Sequence, residues 1–300
     1  MKESHYWETV AATWGAEHLQ SLWRVHSDTV NLDLLGRWLP DERGKFLLKT
    51  DAFDEAFGNG LYPFLETKTE HAVIVDVALS TLTLARTRHS SVCAIGADAR
   101  HLPFADGVFD AVVSTSTLDH FHSHAEVIAS LREFRRVLRP AGQLLLTLDN
   151  PANPIIRLRN ALPFRWLHRL GIVPYYVGAT YGPRRLRCVL RQVGFEVREV
   201  GAVMHCPRVF AVAVARLLER HTGQAIHRRF LHFLLAFEQL AHWPTRFLTG
   251  HFVAVRAIKP EIEENRGARR THRDKNNSER SLPARTSVGN CHKRPRGPMV

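Results

Sequence analysis

GADARHLPFADGVFDAVVSTSTLDHF, residues 96–121, decides how the rest of the chain is read. It opens on the end of one apolar run, VCAIGAD (92–98), turns through Leu102-Pro103-Phe104 and Asp106-Gly107, and enters a second run, FDAVVSTS (109–116). Runs this short, apolar almost throughout and bounded by turn residues, fit strands buried in a parallel sheet. Three more lie around it: FLLK (46–49), AVIVDVA (72–78) and QLLLTLD (143–149), with helix-length segments between them. Such alternation predicts a Rossmann-like, doubly wound α/β domain with helices on both faces of the sheet. FEVREVGAV (195–203) and GHFVAVRAIK (250–259) complete a mostly parallel sheet of seven strands.

The flanking segments divide the chain further. Residues 1–43 have helical spacing, with Trp7, Val10, Trp14, Leu19, Leu22 and Trp23 followed by Val30 to Trp38, and predict a helical cap stopped by Pro40. Residues 44–150 form the expected core. Its clearest helix places Val127, Ile128, Leu131, Phe134, Val137 and Leu138 on one face and stops at Arg139-Pro140-Ala141-Gly142. Residues 151–184 are Pro-rich, basic and apolar, and read as a lid over substrate. Within them IIRLRNALPFRWLHRLGI (155–172) also has a composition that suits a membrane surface, although the lid is the preferred reading. Residues 185–260 continue the fold, and 261–300 read as a basic disordered tail.

Composition excludes several function classes. Of 300 residues 45% are apolar, too many for a wholly disordered chain. The net charge of +12 suggests nucleic acid until it is located: ten Lys or Arg against five acids lie beyond Pro260, and the rest is spread without an aromatic-basic stripe. No specific nucleic-acid partner is expected. Cys93, Cys188, Cys206 and Cys291 form no CxxC pair, which indicates neither a metal site nor a disulfide framework and fits a reducing cytoplasm. The opening MKESHYWETVAATW lacks a signal-like apolar core, and the run FLHFLLAF (230–237) is too short to span a bilayer. A soluble protein with at most peripheral membrane contact follows; the sequence is silent on oligomeric state.

In an open parallel sheet the ligand sits outside the carboxyl ends of the strands. Three acids fall there: Asp51 after the first strand, Asp76 late in the second, Asp98 after the third. An acid in the second position suits a ribose diol, and one in the third suits an adenine amino group. The loop after the first strand, KTDAFDEAFGNG (49–60), is acidic and holds only Gly58 and Gly60. That composition suits a cationic ligand better than a phosphate. Helix capping by Asp51, with Asp54 and Glu55 in the first turn, is the alternative.

The stretch from Asp98-Ala99 through Leu102-Pro103-Phe104, Asp106-Gly107, Phe109-Asp110 and His120 to Arg136-Val137-Leu138-Arg139-Pro140-Ala141-Gly142 resembles the class I S-adenosylmethionine-dependent methyltransferases. The likeness is to their small-molecule and quinone-type subgroup, with an atypical first motif where the family has Gly-x-Gly-x-Gly. It implies S-adenosylmethionine as cofactor and transfer of a methyl group to a small-molecule or lipid-like acceptor. On that resemblance the cofactor-binding candidates are Asp51, Glu55, Gly58, Gly60, Asp76, Asp98, Ala99 and Ser114, with Lys49 as another partner for the cofactor's carboxylate. His120, beside its rival Asp119, is the candidate base, and no metal is implied. The acceptor pocket is expected from Tyr6, Trp7, Trp14, Trp23 and His26 of the cap and from Trp166, Tyr175, Tyr176 and Tyr181 of the insertion. The alternative is a fold of this type without activity, serving as an interaction or regulatory protein.

Overall fold

The seven strands order themselves β3-β2-β1-β4-β5-β7-β6 in a computed structural model that describes residues 2–16, 21–171, 173 and 175–261. The strands are β1 (Gly44–Lys49), β2 (Thr69–Asp76), β3 (Cys93–Gly96), β4 (Phe109–Thr115), β5 (Leu138–Asp149), β6 (Glu196–Val203) and β7 (Phe252–Ile258). β1 to β5 pair in parallel, whereas β7 runs antiparallel between β5 and β6. Strand order therefore reverses between β1 and β4, where Leu48 sits between Val73 of β2 and Val112 of β4.

The near-continuous apolar runs have a direct explanation, because successive residues point to opposite faces and both faces are covered. Leu47, Ile74, Val113, Leu145 and Ala254 enter one core, and their neighbours Leu48, Val73, Val112, Leu144 and Val255 enter the other. Against the first face pack α2 (Ser21–Trp38), α4 (Tyr62–Lys68), α5 (Leu79–Arg88), α10 (Arg208–His221) and α11 (Gln224–Ala236). Against the second pack α6 (His124–Val137) and α9 (Pro183–Val193). The remaining helices are α1 (Lys2–Ala16), α3 (Phe53–Phe57), α7 (Pro154–Ala161), α8 (Phe164–Arg169) and α12 (Arg246–Thr249).

α2 is more than a cap. Its Trp23, Val30, Leu34, Leu35 and Trp38 belong to the first core, so the N-terminal segment is built into the sheet's face. α6 starts where its sequence says it should: the Ser123 hydroxyl accepts from the Glu126 N–H, and the Glu126 carboxylate accepts from the Ser123 N–H. Its Val127, Leu131, Phe134 and Val137 are buried as the spacing predicts. The expected stop at Arg139 to Gly142 is corrected by one detail. The helix ends at Val137, and β5 already begins at Leu138, with a register shift opposite Phe109 to Ala111 and Ala141 at φ 61°. α9 closes on Gly194 at φ 97°, a left-handed position that favours glycine. Residues Met1–Glu261 cluster as one compact unit, and the tail expected at 261–300 lies, from residue 262 on, outside the described residues.

Candidate functional site

A cavity of about 420 Å³ opens at the carboxyl ends of the strands, on the reversal between β1 and β4. The loop after β1 supplies Thr50, Asp51, Phe53 and Asp54, and the ends of β2 and β3 supply Asp76, Asp98 and Ala99. The loop after β4 supplies Thr115 to Thr117 and His120. Tyr6, Trp7, Trp23 and Arg24 of the N-terminal helices, Phe164, Tyr175 and Tyr176 of the insertion, and Met204, Arg208 and Phe252 complete the walls.

The first loop is organised by a buried lysine. Lys49, the last residue of β1, is fully buried, and its ammonium donates to Glu55 Oε2 (2.9 Å), Asp51 Oδ1 (3.1 Å) and the Asp51 carbonyl (2.7 Å), with Asp54 Oδ2 at 3.7 Å. Burial by itself would lower its pKa, but Asp51, Glu55 and Asp54 outweigh it and hold the pKa above the ordinary lysine value. Lys49 is therefore spent inside the loop rather than free for a ligand carboxylate. Burial raises the Glu55 pKa, while the ammonium and two backbone donors, the N–H groups of Leu61 (3.0 Å) and Tyr62 (3.2 Å), stabilise its carboxylate. Glu55, predicted to face the cofactor, thus lies behind the cavity wall. Gly58 and Gly60 follow it. A side chain on Gly60, at φ 64°, would stand 2.8 Å from Glu55 Oε1, and one on Gly58 2.8 Å from the Arg24 side chain. Gly60 makes room for Glu55 of the same loop and Gly58 for Arg24 of α2, and neither glycine lines the cavity.

Asp51 does face the cavity, but not as a helix cap: Ala52 is the N-cap of α3 and no side chain caps it. Instead Asp51 Oδ2 accepts from the Thr117 hydroxyl at 3.1 Å, which ties the loop after β1 to the loop after β4. Ser114, expected at the cofactor, is fully buried behind that tie, where its hydroxyl accepts from Thr50 at 2.9 Å; Thr115, Ser116 and Thr117 line the cavity in its place. Asp76 accepts from the N–H groups of Ala52 and Ala78, both at 2.9 Å, and burial pushes its pKa up to about 6. Asp98 also faces the cavity, yet Arg100 grips both of its oxygens (Nε to Oδ1 3.0 Å, Nη2 to Oδ2 2.6 Å). Burial alone would raise the Asp98 pKa, and those contacts bring it below the ordinary range. Arg100 in turn reaches Glu126, the residue that caps α6.

His120 Nδ1 lies 2.8 Å from the Tyr176 carbonyl. Only Nδ1–H can serve that contact, so the neutral ring keeps Nε2 as an acceptor. Trp7 and Tyr175 pack edge-on at ring-centre distances of 4.9 and 5.1 Å. Asp119 is buried beside it, accepting from the Ser116 hydroxyl and the Asp149 N–H, both at 3.0 Å, with Oδ1 3.8 Å from His120 Nε2. Burial raises its pKa. Asp119 orients the loop and does not line the cavity.

Of the aromatic residues expected at an acceptor pocket, Tyr6, Trp7, Trp23, Tyr175 and Tyr176 line the cavity. Trp14 packs on Phe53 and Tyr175 behind it, His26 is buried against Cys206, Tyr181 is buried on His124, and Trp166 is 72% exposed. Sequence reasoning passed over Arg24, which ion-pairs with Asp54 while lying over the Phe53 ring, and Arg208, which lies over Trp23. Arg208 follows the end of β6 by a few residues, a position in which a lining residue was to be looked for. Arg24 carried no such signal.

Residues 54–146 match the family model described as a methyltransferase domain. About a third of the chain is thus similar to a methyltransferase domain. The match begins at Asp54, within the loop of residues 49–60 that departs from the glycine-rich pattern. The demethylmenaquinone methyltransferase of Corynebacterium kroppenstedtii is 32% identical over 116 residues, 39% of this chain and 48% of that protein. The match spans between a fifth and a half of the length of the curated relatives. Among solved structures, the Haloferax volcanii complex of the Trm112 methyltransferase activator with a methyltransferase gives a TM-score of 0.55 at 16% identity, over 85% of this chain and 97% of the other. The [4+2]-cyclase SpnF gives 0.51 at 20% identity, over 77% and 80%. These likenesses bear out the Rossmann-like, doubly wound fold predicted from the strand pattern. That fold also serves a cyclase, so activity has to be argued from the site.

The loop after β1 makes a stability prediction. Lys49→Met leaves Glu55 buried without its cation, and denaturant unfolding should show a loss of roughly 3–5 kcal/mol. Glu55→Gln in the same background should recover part of it. A loss below about 1 kcal/mol would mean that the network does not hold the loop.

Proposed function

We propose that this protein is an S-adenosylmethionine-dependent methyltransferase whose acceptor is a small or lipid-like molecule carrying an anionic group. The observation that carries this reading is the charge division of the cavity. Asp51, Asp54, Asp76 and Asp98 stand at the β1, β2 and β3 side, and Arg208 stands at the β6 and β7 side, with Trp7, Trp23, Tyr175 and Phe252 among the aromatic residues lining it. The cofactor's sulfonium and ammonium are cationic, and the acidic half complements them.

The residues present fit such a cofactor. Each Asp76 oxygen accepts one backbone N–H and keeps acceptor capacity for a ribose hydroxyl. The Ala99 backbone is at hand for an adenine ring nitrogen, while Asp98, gripped by Arg100, has less capacity left for the amino group than the sequence suggested. Arg24 is the cation at the acidic end that lines the cavity, and suits the cofactor's carboxylate better than the buried Lys49. When bound, the cofactor supplies a methyl group already activated for in-line displacement, so the chain's own task is positioning and exclusion of water. The N-terminal helices and residues Tyr175 and Tyr176 roof the site for that purpose. A hydroxyl acceptor held against His120 would give its proton to Nε2, the Tyr176 carbonyl fixing the tautomer that can receive it.

Titration calorimetry with S-adenosylmethionine tests the cofactor half. The wild type should bind, and Asp76→Ala should not; no heat from the wild type leaves the inactive-fold reading in possession. Because burial places the Asp76 pKa at about 6, above an ordinary carboxyl, the carboxylate is present above that pH and lost below it. Affinity should hold above pH 6 and fall by about tenfold one unit below the pKa. For a hydroxyl acceptor, His120→Asn should lower kcat by roughly 100-fold or more with cofactor binding intact; an unchanged kcat removes the base. Arg208→Gln should lower kcat/KM by about tenfold or more for phenolic acids and leave neutral phenols of the same size unaffected. Equal effects on both would remove the anionic group from the proposal.

A further inference from the structure

We propose that α7 and α8 form a docking surface for an anionic lipid bilayer. Between Asp149 and Glu196 the chain contains no acidic residue and eight arginines. In the α7–α8 part of that stretch the apolar residues divide into two sets. Ile156 and Leu167 point inward and are buried. Ile155, Leu158, Leu162, Trp166 and Leu170, spaced by three or four residues, are exposed, Leu158 at 64% and Leu170 at 70%. These five are a third of the fifteen large apolar side chains exposed among the described residues, gathered in sixteen positions. The lid expected from sequence would have hidden them against substrate or the N-terminal helices. The structure leaves them outside.

The cations beside them are also uncommitted. Arg157, Arg165 and Arg169 are exposed, and among the described residues none has a carboxylate partner, whereas Arg159 turns inward to Asp149. Exposed apolar side chains interspersed with unpaired cations of one sign complement a surface that is apolar beneath and negative above, the interfacial zone of an anionic bilayer. A protein partner would have to bring an unbroken acidic rim around an apolar pocket to satisfy the same residues. The contact is interfacial, since among the described residues no helix is long and apolar enough to cross a membrane.

The surface adjoins the cavity. Phe164, the first residue of α8, lines it, and Arg159 of α7 is tied to Asp149 at the end of β5. If the proposed function holds, an amphipathic acceptor would pass from bilayer to cavity along this edge; the docking itself does not depend on that reading.

Co-sedimentation of the full chain with phosphatidylcholine vesicles, and with vesicles that also contain phosphatidylglycerol, tests the docking without any assay of methyl transfer. Binding should require phosphatidylglycerol and weaken at high salt. L158S/W166S should lower the vesicle affinity by about tenfold or more, and so should R157Q/R165Q/R169Q, each with an unchanged circular dichroism spectrum and melting curve. Failure of the wild type to sediment overturns the proposal. So does binding that survives L158S/W166S, which would assign it to the basic C-terminal segment, and so does an oligomer in solution that L158S/W166S dissociates, which would make this face a contact with a second copy.

Discussion

A single ammonium group, that of Lys49, holds the mouth of the sheet together. It sits at the end of the first strand with no access to water and gathers Asp51, Asp54 and Glu55. Three carboxylates in so small a space repel one another, and a buried cation without them would be deprotonated or would unfold the loop. Each requirement answers the other. The result fixes the direction of the chain just where a glycine-rich turn would otherwise let the backbone approach a ligand. Glu55 then pins Leu61 and Tyr62, Asp51 reaches Thr117 across the strand reversal, and Ala52 is delivered to Asp76.

A second polar relay performs the same service at the end of β3. Ser123 and Glu126 cap α6, Glu126 holds Arg100, and Arg100 holds Asp98. A helix-capping interaction is thereby connected to a cavity wall. Together the two networks put acids along one half of the cavity, while Arg208 and the rings from the N-terminal helices and the insertion form the remainder. The cavity is thereby divided electrostatically, with most of its acids along one side and Arg208 at the other.

The legible part of the molecule was that in which neighbouring residues in sequence carry the signal. The strand runs, the amphipathic α6, the polarity of the Asp76 and Asp98 positions and the 96–121 stretch could all be read directly, since period and turn chemistry are local properties. Ser114 was misplaced because a strand sends alternate side chains to opposite faces, and which face meets the ligand depends on how the loop beyond it bends. Glu55 and the two glycines were misplaced for a related reason. An acidic loop looks the same in sequence whether its carboxylates face a ligand or a lysine two to six positions earlier. Arg24 left no local trace and Arg208 only its place shortly after β6, both being brought to the cavity by helices that pack from distant parts of the chain. The insertion's composition did not say which of its apolar residues face the cavity and which face out: Phe164, Tyr175 and Tyr176 line the cavity, whereas Ile155, Leu158 and Trp166 are exposed.

The sequence by itself determined the doubly wound α/β class, the carboxyl ends of β1 to β4 as the place for a ligand, and the methyltransferase likeness, because hydrophobic period, strand-end acids and motif spacing are written along the chain. Only the tertiary structure decided which acids face the cavity and which are consumed by Lys49 and Arg100. It also decided that cations from the second and tenth helices complete the walls, and that one apolar face remains outside. Each of those outcomes depends on burial and on contacts between residues far apart in sequence, and such contacts exist only once the sheet has assembled.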